Sequence, residues 1–182
     1  ISDILNSNHI KTLACGNNGI SVFKSLEDNY DFIILEISSY QLEYIKKLKS
    51  YISVILNLST DHLERHETLK KYFSTKLKIF DNAKHTIINN NLEYSKKDIT
   101  FDVKNNSIYV NNSSIKNLTF KNYNFISYKD EKYKINGKHE AYNLSACIAL
   151  LSILGLSLDE IMLGFSKRSH LSHRLERFCT YD

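Results

Sequence analysis

The 182-residue sequence predicts an α/β fold: a mostly parallel sheet flanked by helices, with a small antiparallel β subregion. Three observations predict it. Short continuous apolar runs at 31–36 (D-F-I-I-L-E), 53–57 (S-V-I-L-N) and 85–89 (H-T-I-I-N) have the composition of strands covered on both faces. Stretches with a single apolar helical face lie between these runs, and such alternation gives parallel sheets with right-handed crossovers. From 99 to 135 the pattern changes to short β-prone runs broken by Asn-Asn or Lys-Asp pairs, which read as antiparallel hairpins.

The elements follow in order. A short apolar run at 11–15 leads into G-N-N-G at 16–19, the composition of a tight loop between a strand and a helix. The 31–36 strand precedes a helix over 40–48, where Tyr40, Tyr44, Ile45 and Leu48 share a face. The 53–57 strand precedes a helix over 68–80, with Leu69, Tyr72, Phe73 and Phe80 on one side. After the hairpins, His139, Asn143, Ala146, Cys147, Leu150 and Leu154 line up as the inner stripe of a long helix. A second helix opens at Ser157, with Glu160 completing a capping box and Leu158, Ile161, Met162 and Phe165 facing inward. A further strand is expected over 175–181.

Composition narrows the function classes. A hydrophobic fraction of 42% supports a real core, and the net charge of +4 is spread over scattered lysines. With no recognition motif for nucleic acid, no nucleic-acid partner is expected. No apolar run approaches membrane-spanning length, so no membrane association is expected. Cys15, Cys147 and Cys179 are odd in number and widely spaced, as free thiols in a reducing cytosol are. A cytoplasmic monomer is expected.

Two placements carry chemistry. The apolar runs end in polar groups: Glu36 is followed by Ser38, Ser39 and Gln41, and Asn57 by Ser59, Thr60, Asp61 and His62. Ligands of open parallel sheets bind beyond the carboxyl ends of the strands, so Glu36, Ser38, Asp61 and His62 are expected to converge on one rim. The plainer alternative is that Ser38 or Ser39 caps the next helix and Asp61 shapes a turn. Lys76 lies near the centre of its helix's apolar face, unlike Lys70, Lys71 and Lys78. A lysine there snorkels, pairs with an opposite charge, or loses its charge and becomes a reactive amine able to form a carbamate, an oxygen ligand suited to Mg²⁺. On the long helix, Asn143 needs a hydrogen-bond partner, either an adenine edge or backbone.

The ordered strings G-N-N-G (16–19), L-E-I-S-S-Y-Q-L-E (35–43), I-L-N-L-S-T-D-H-L-E-R-H (55–66), Y-F-S-T-K-L-K-I-F (72–80), G-K-H-E-A-Y-N-L-S-A (137–146) and S-H-R-L-E (172–176) resemble the Mur ligases over nearly the whole chain. The S-S-Y-Q stretch resembles the D-glutamate-adding branch of that family more than its other members or the folylpolyglutamate synthases. The resemblance implies a P-loop-like central ATP-binding domain. It also implies transfer of the ATP γ-phosphoryl group to a carboxylate, giving an acyl phosphate that an amino acid's amine attacks. The substrates implied are UDP-N-acetylmuramoyl-L-alanine and D-glutamate, in peptidoglycan synthesis. By the same resemblance Glu36 ligates Mg²⁺, His62 holds a second Mg²⁺, and carbamylated Lys76 lies beside the metal. Asn17, Ser38, Gln41 and His62 follow the UDP-muramoyl substrate, Asn143 contacts adenine, and Arg174 approaches the ATP ribose or phosphates.

The sequence also departs from the family pattern. The phosphate loop G-x-x-G-K-[ST] is not present in it, and the family's N-terminal UDP-binding and C-terminal Rossmann-like domains are not matched. Residues 1–182 are therefore expected to be a central-domain fragment that does not ligate alone. Glu140 stands where the family often has Asn, which puts the nearby nucleotide contacts in question. Another Mur ligase, a folylpolyglutamate synthase and a non-catalytic binding module remain as alternatives.

Overall fold

The computed structural model describes residues 1–59, 63–94 and 97–168. Asp61, His62, Arg174, Cys179 and the strand expected over 175–181 lie outside the described residues. In chain order the elements are α1 (Ser2–Ser7), β1 (Thr12–Gly16), a 3₁₀ turn (Val22–Leu26), β2 (Phe32–Glu36), α2 (Ser39–Tyr44) and β3 (Ser50–Ile55). They continue with α3 (Leu63–His66), α4 (Leu69–Leu77) extended by a 3₁₀ turn (Lys78–Phe80), and β4 (Ala83–Asn89). Then come β5 (Ile99–Lys104), β6 (Ser107–Val110), β7 (Ser113–Lys121), β8 (Phe125–Tyr128), β9 (Glu131–Lys134), α5 (Lys138–Ile153) and α6 (Leu158–Ser166).

The strands form two sheets. β1 and β2 pair in parallel, with Gly16 opposite Glu36. The second sheet runs β3-β4-β5-β6-β7-β8-β9. Its first three strands are parallel, and from β5 onward each ladder is antiparallel. The hairpin region is thus no separate appendage, because β5 joins both parts. The Asn pairs drive the turns. Asn105 and Asn106 (φ 50° and 57°) and Asn111 and Asn112 (φ 50° and 62°) adopt left-handed backbone at both central positions, as type I′ hairpins require. Asn117 (φ 61°) takes the same conformation inside β7, beside the register shift between Ser107 and Tyr109.

α5 packs on β4, β5 and β6 and against α6, and its buried residues are Ala141, Leu144, Ser145, Ala146, Ile148, Ala149 and Leu151. His139 and Asn143 are exposed, whereas Ala146 is buried and Cys147, Leu150 and Leu154 are partly buried against the core, so the expected inner stripe holds only beyond the first turns of the helix. Apolar residues occupy most sides of this helix, so helical periodicity alone does not choose its buried face. α6 opens on the expected capping box, with the Ser157 Oγ accepting from the Glu160 N–H and the Ser157 N–H donating to the Glu160 carboxylate at 2.8 Å. α2 ends at Tyr44, four residues short of expectation, because Ile45 turns to extended backbone (ψ 112°). α1 crosses α6 where Gly164 lies against Ile4 and Ser7. Among the described residues no helix is long and apolar enough to cross a membrane.

Candidate functional site

The carboxyl end of β2 forms one rim. Gly16 sits there with φ 104°, and a Cβ on it would lie 2.3 Å from the Glu36 carbonyl oxygen, so the strand end requires glycine. The loop then folds back. The Asn17 N–H donates to the Glu36 carbonyl at 2.8 Å, and the Gly16 N–H to the Ile20 carbonyl at 2.8 Å. Asn17 and Glu36 are thereby side by side and exposed.

Ser38 and Gln41 take the capping alternative. The Ser38 Oγ accepts the Gln41 N–H at 3.2 Å, and the Gln41 Oε1 accepts the Ser38 N–H at 2.8 Å. The box occupies the Gln41 amide oxygen, so its NH₂ donors are what remains to meet a ligand. Ser39, next in the chain, is buried, and its Oγ lies 3.0 Å from His66 Nε2. His66 ends α3, and its ring is fully buried between the rings of Tyr40 and Tyr72 (centroids 5.8 and 5.2 Å).

Lys76 is half-buried on α4, one turn beyond Tyr72, with its Nζ 5.6 Å from the Tyr72 ring centroid. The buried face of α4 is Tyr72 and Thr75, while Leu69 is exposed, so Lys76 flanks the apolar face instead of centring it. This is the geometry of a snorkelling lysine whose cation rests on an aromatic face.

A cavity of about 300 Å³ opens at the carboxyl ends of β3 and β4. Its walls are Leu56 and Asn57 after β3, Asn89 and Asn91 at and after β4, and Lys138, His139, Tyr142 and Asn143 from the first turns of α5. Asn89 donates from Nδ2 to the Leu56 carbonyl at 3.4 Å and accepts the Asn91 N–H at 3.0 Å, which ties the two strand ends together. Behind them the Tyr142 hydroxyl lies 3.4 Å from Asp102 Oδ1, and burial, with the nearby carboxylate, pushes that hydroxyl's pKa up. Four amides, an imidazole, a phenol and one ammonium around a small apolar wall suit a flat, polar-edged base carrying anionic groups.

Glu140 does not line this cavity. It turns the other way, where it accepts the Asn136 N–H at 2.7 Å and pairs with Arg168, whose guanidinium stacks 3.6 Å from the Phe165 ring centroid. The substitution expected to disturb nucleotide contacts is instead a brace at the start of α5. Among the described residues no cluster of three or more His, Cys, Asp or Glu could hold a metal. At the β2 rim Glu36 offers an exposed carboxylate, which suits Mg²⁺, since that ion takes one or two carboxylates and completes its shell with water and phosphate.

Sequence reasoning missed Asn89, Asn91, Tyr142 and His66. Asn89 closes its apolar run just as Asn57 closes the one before, so the same signal extends to it. His66 closes the motif at 55–66, but standing among polar residues in L-E-R-H it gives no sign of its burial.

Comparison with known proteins gives a consistent result. The profile of the Mur ligase middle domain matches residues 8–151. A UDP-N-acetylmuramoylalanine--D-glutamate ligase of Pasteurella multocida is 31% identical over 187 residues, covering 97% of this chain and 42% of the relative. Ligases of the same name from Rickettsia prowazekii and Haemophilus ducreyi are 30% and 27% identical, each again covered over 42% of its length. This chain thus spans about two fifths of those relatives. Among solved structures, MurF from Acinetobacter baumannii aligns with TM-score 0.62 at 16% identity, covering 96% of this chain and 44% of that one. The UDP-N-acetylmuramate-alanine ligase MurC from Thermotoga maritima also aligns with TM-score 0.62, at 20% identity, covering 91% of this chain and 40% of that one. These two likenesses concern the fold.

Proposed function

The chain belongs to the Mur ligase family, and on that footing we propose that it is the ATP-binding part of a ligase joining D-glutamate to UDP-N-acetylmuramoyl-L-alanine. The observation that carries the proposal is the cavity beyond β3 and β4, where Asn143, placed by the motif at 137–146, shares a wall with Asn57 and Asn89. The D-glutamate assignment is supported by the names of the relatives and by the S-S-Y-Q stretch at 38–41.

Bound ATP with Mg²⁺ supplies the phosphoryl group and the charge neutralisation that lets a carboxylate attack it. The residues of this chain hold and orient. Asn143 and His139 offer donors and acceptors to a base edge, with the Tyr142 ring beside them. Lys138 offers a cation to anionic groups. Glu36 offers one oxygen to a divalent cation, and Asn17 and the Gln41 NH₂ flank it on the acceptor side. Lys76, and by family resemblance His62 and Arg174, complete the set. The acceptor carboxylate would take the γ-phosphoryl group as ADP leaves, and the D-glutamate amine would then attack the acyl carbon, expelling phosphate and losing a proton to leave an amide. Positioning of this kind accounts for a large share of such rate enhancements.

The test is phosphate release by the intact protein given ATP, Mg²⁺ and UDP-N-acetylmuramoyl-L-alanine, with and without D-glutamate, for wild type and Lys76→Ala. Release that requires D-glutamate and collapses in the variant is the expected result. A requirement for another amino acid keeps the family and changes the member. No release from folded protein with any amino acid removes the ligase reading in favour of a binding module.

A further inference from the structure

Ser39, His66 and Glu43 form a connected set outside the roles described above. The Ser39 Oγ lies 3.0 Å from His66 Nε2, and His66 Nδ1 lies 3.2 Å from Glu43 Oε1, although off the direction a hydrogen bond needs. Arg65 fixes the far side of Glu43, donating to Oε2 from Nη2 at 2.8 Å and from Nε at 3.2 Å. The connectivity is that of a nucleophile, a base and an orienting acid. It is not a hydrolytic site, because the Ser39 residue is 4% exposed and His66 0%, so no substrate reaches the hydroxyl.

A fully buried imidazole with polar neighbours on both nitrogens is held in one orientation and holds its neighbours in turn. His66 touches both elements that carry site residues. Ser39 is the first residue of α2, next to the Ser38 cap that is bonded to Gln41. Tyr72, whose ring packs 5.2 Å from the imidazole, is one turn from Lys76 on α4, and the Lys76 Nζ lies 5.6 Å from that same ring.

We propose that His66 is a positioning residue of the ligase site, locking the Ser39 end of α2 to the Tyr72 face of α4 so that Gln41 and Lys76 keep fixed relative places. The link to turnover rests on the ligase reading above. The link to geometry does not.

The experiment compares intact wild type with His66→Phe, His66→Gln and Ser39→Ala. Phenylalanine keeps the ring between the tyrosines and removes both polar contacts, whereas glutamine keeps an amide for the Ser39 Oγ. In His66→Phe, kcat is expected to fall about 10- to 100-fold, since small misplacements in a site cost that much. The KM for ATP is expected to stay within about twofold, because the cavity elements do not include His66. His66→Gln is expected to recover part of kcat, and Ser39→Ala to lose part of it. A kcat per folded molecule equal to wild type in His66→Phe overturns the proposal, as does a loss that only follows the unfolded fraction seen by circular dichroism. If His66→Phe does not fold, His66→Gln and Ser39→Ala decide by the same criterion. If wild type ligates nothing, amine acetylation read by mass spectrometry decides instead. The Lys76 rate, relative to Lys70 and Lys71 of the same helix, is expected to change by at least about threefold in His66→Phe, as for directly coupled residues. An unchanged ratio overturns the proposal.

Discussion

A lysine whose ammonium rests on a phenol ring and a lysine that carries a carbamate make opposite electrostatic demands. The face of the Tyr72 ring attracts the cation and repels an anion placed at the same point. Lys76→Arg separates the two roles, because arginine keeps the cation on the ring and forms no carbamate. If a carbamate is required, turnover in a phosphate-release assay falls by at least about 100-fold while the melting temperature stays near wild type. Retained turnover assigns the role to the positive charge. A second residue-scale expectation concerns alkaline pH. Burial, with the Glu131 carboxylate accepting from its hydroxyl at 2.5 Å, pushes Tyr133 up to about 12. A raised value in the folded state means that the stabilisation is fully present below the unfolded tyrosine value of about 10 and is lost as pH rises above it. Urea midpoints measured from pH 9 upward should fall more steeply in wild type than in Tyr133→Phe. Glu36 and Lys76 stand out in the sequence as candidates because ordered motifs point to them. His66 does not, since its burial depends on Tyr40 and Tyr72 arriving from two other helices.

Helix α6 shows how a single contact sets an element's place. A Cβ on Gly164 would sit 2.7 Å from Ser7 Oγ and 2.9 Å from both Ile4 Cα and Ile4 Cγ2. The Ser7 hydroxyl can rotate away, but the Ile4 backbone cannot. Gly164→Ala should therefore destabilise by about 1–3 kcal/mol, outweighing the better helix propensity of alanine. Equilibrium urea unfolding checks this, and a stabilised variant would show that α1 is free to shift. Local chemistry made several elements readable beforehand: the Ser157–Glu160 box and the left-handed Asn pairs are set by residues within four positions of one another. The end of α2 was not readable, and the inner face of α5 only in part: Ala146 is buried as its spacing implies, while His139 and Asn143 are exposed. In α2 the apolar spacing continues past Tyr44 although the backbone does not, and α5 is covered by a sheet on one side and α6 on another.

Across the whole molecule, the cavity depends on residues from three places in the chain, which a linear reading recovers only in part. Asn143 was visible through its motif, whereas Asn91 reaches the cavity because β4 and β5 pair in parallel and fix the turn between them. Asn143→Ala should weaken ATP binding to the intact protein by about 5- to 30-fold, the loss of one or two hydrogen bonds to a base. Titration calorimetry reads this directly, and unchanged affinity would move the base elsewhere.

The division into two sheets has a practical consequence. Among the described residues β2 and β3 each end a sheet, so each leaves a row of backbone donors and acceptors with no strand beside it. Such a row is a template for any extended peptide, including another copy of the same strand. Ile33 on β2 and Tyr51 on β3, at 50% and 47% exposure, add apolar surface to those rows. A lysine at position 33 should delay the onset of light scattering as the chain is concentrated, without lowering its melting temperature. Wherever these two strands stand uncovered, pairing at the sheet margins is expected to work against the modest repulsion of a net charge of +4.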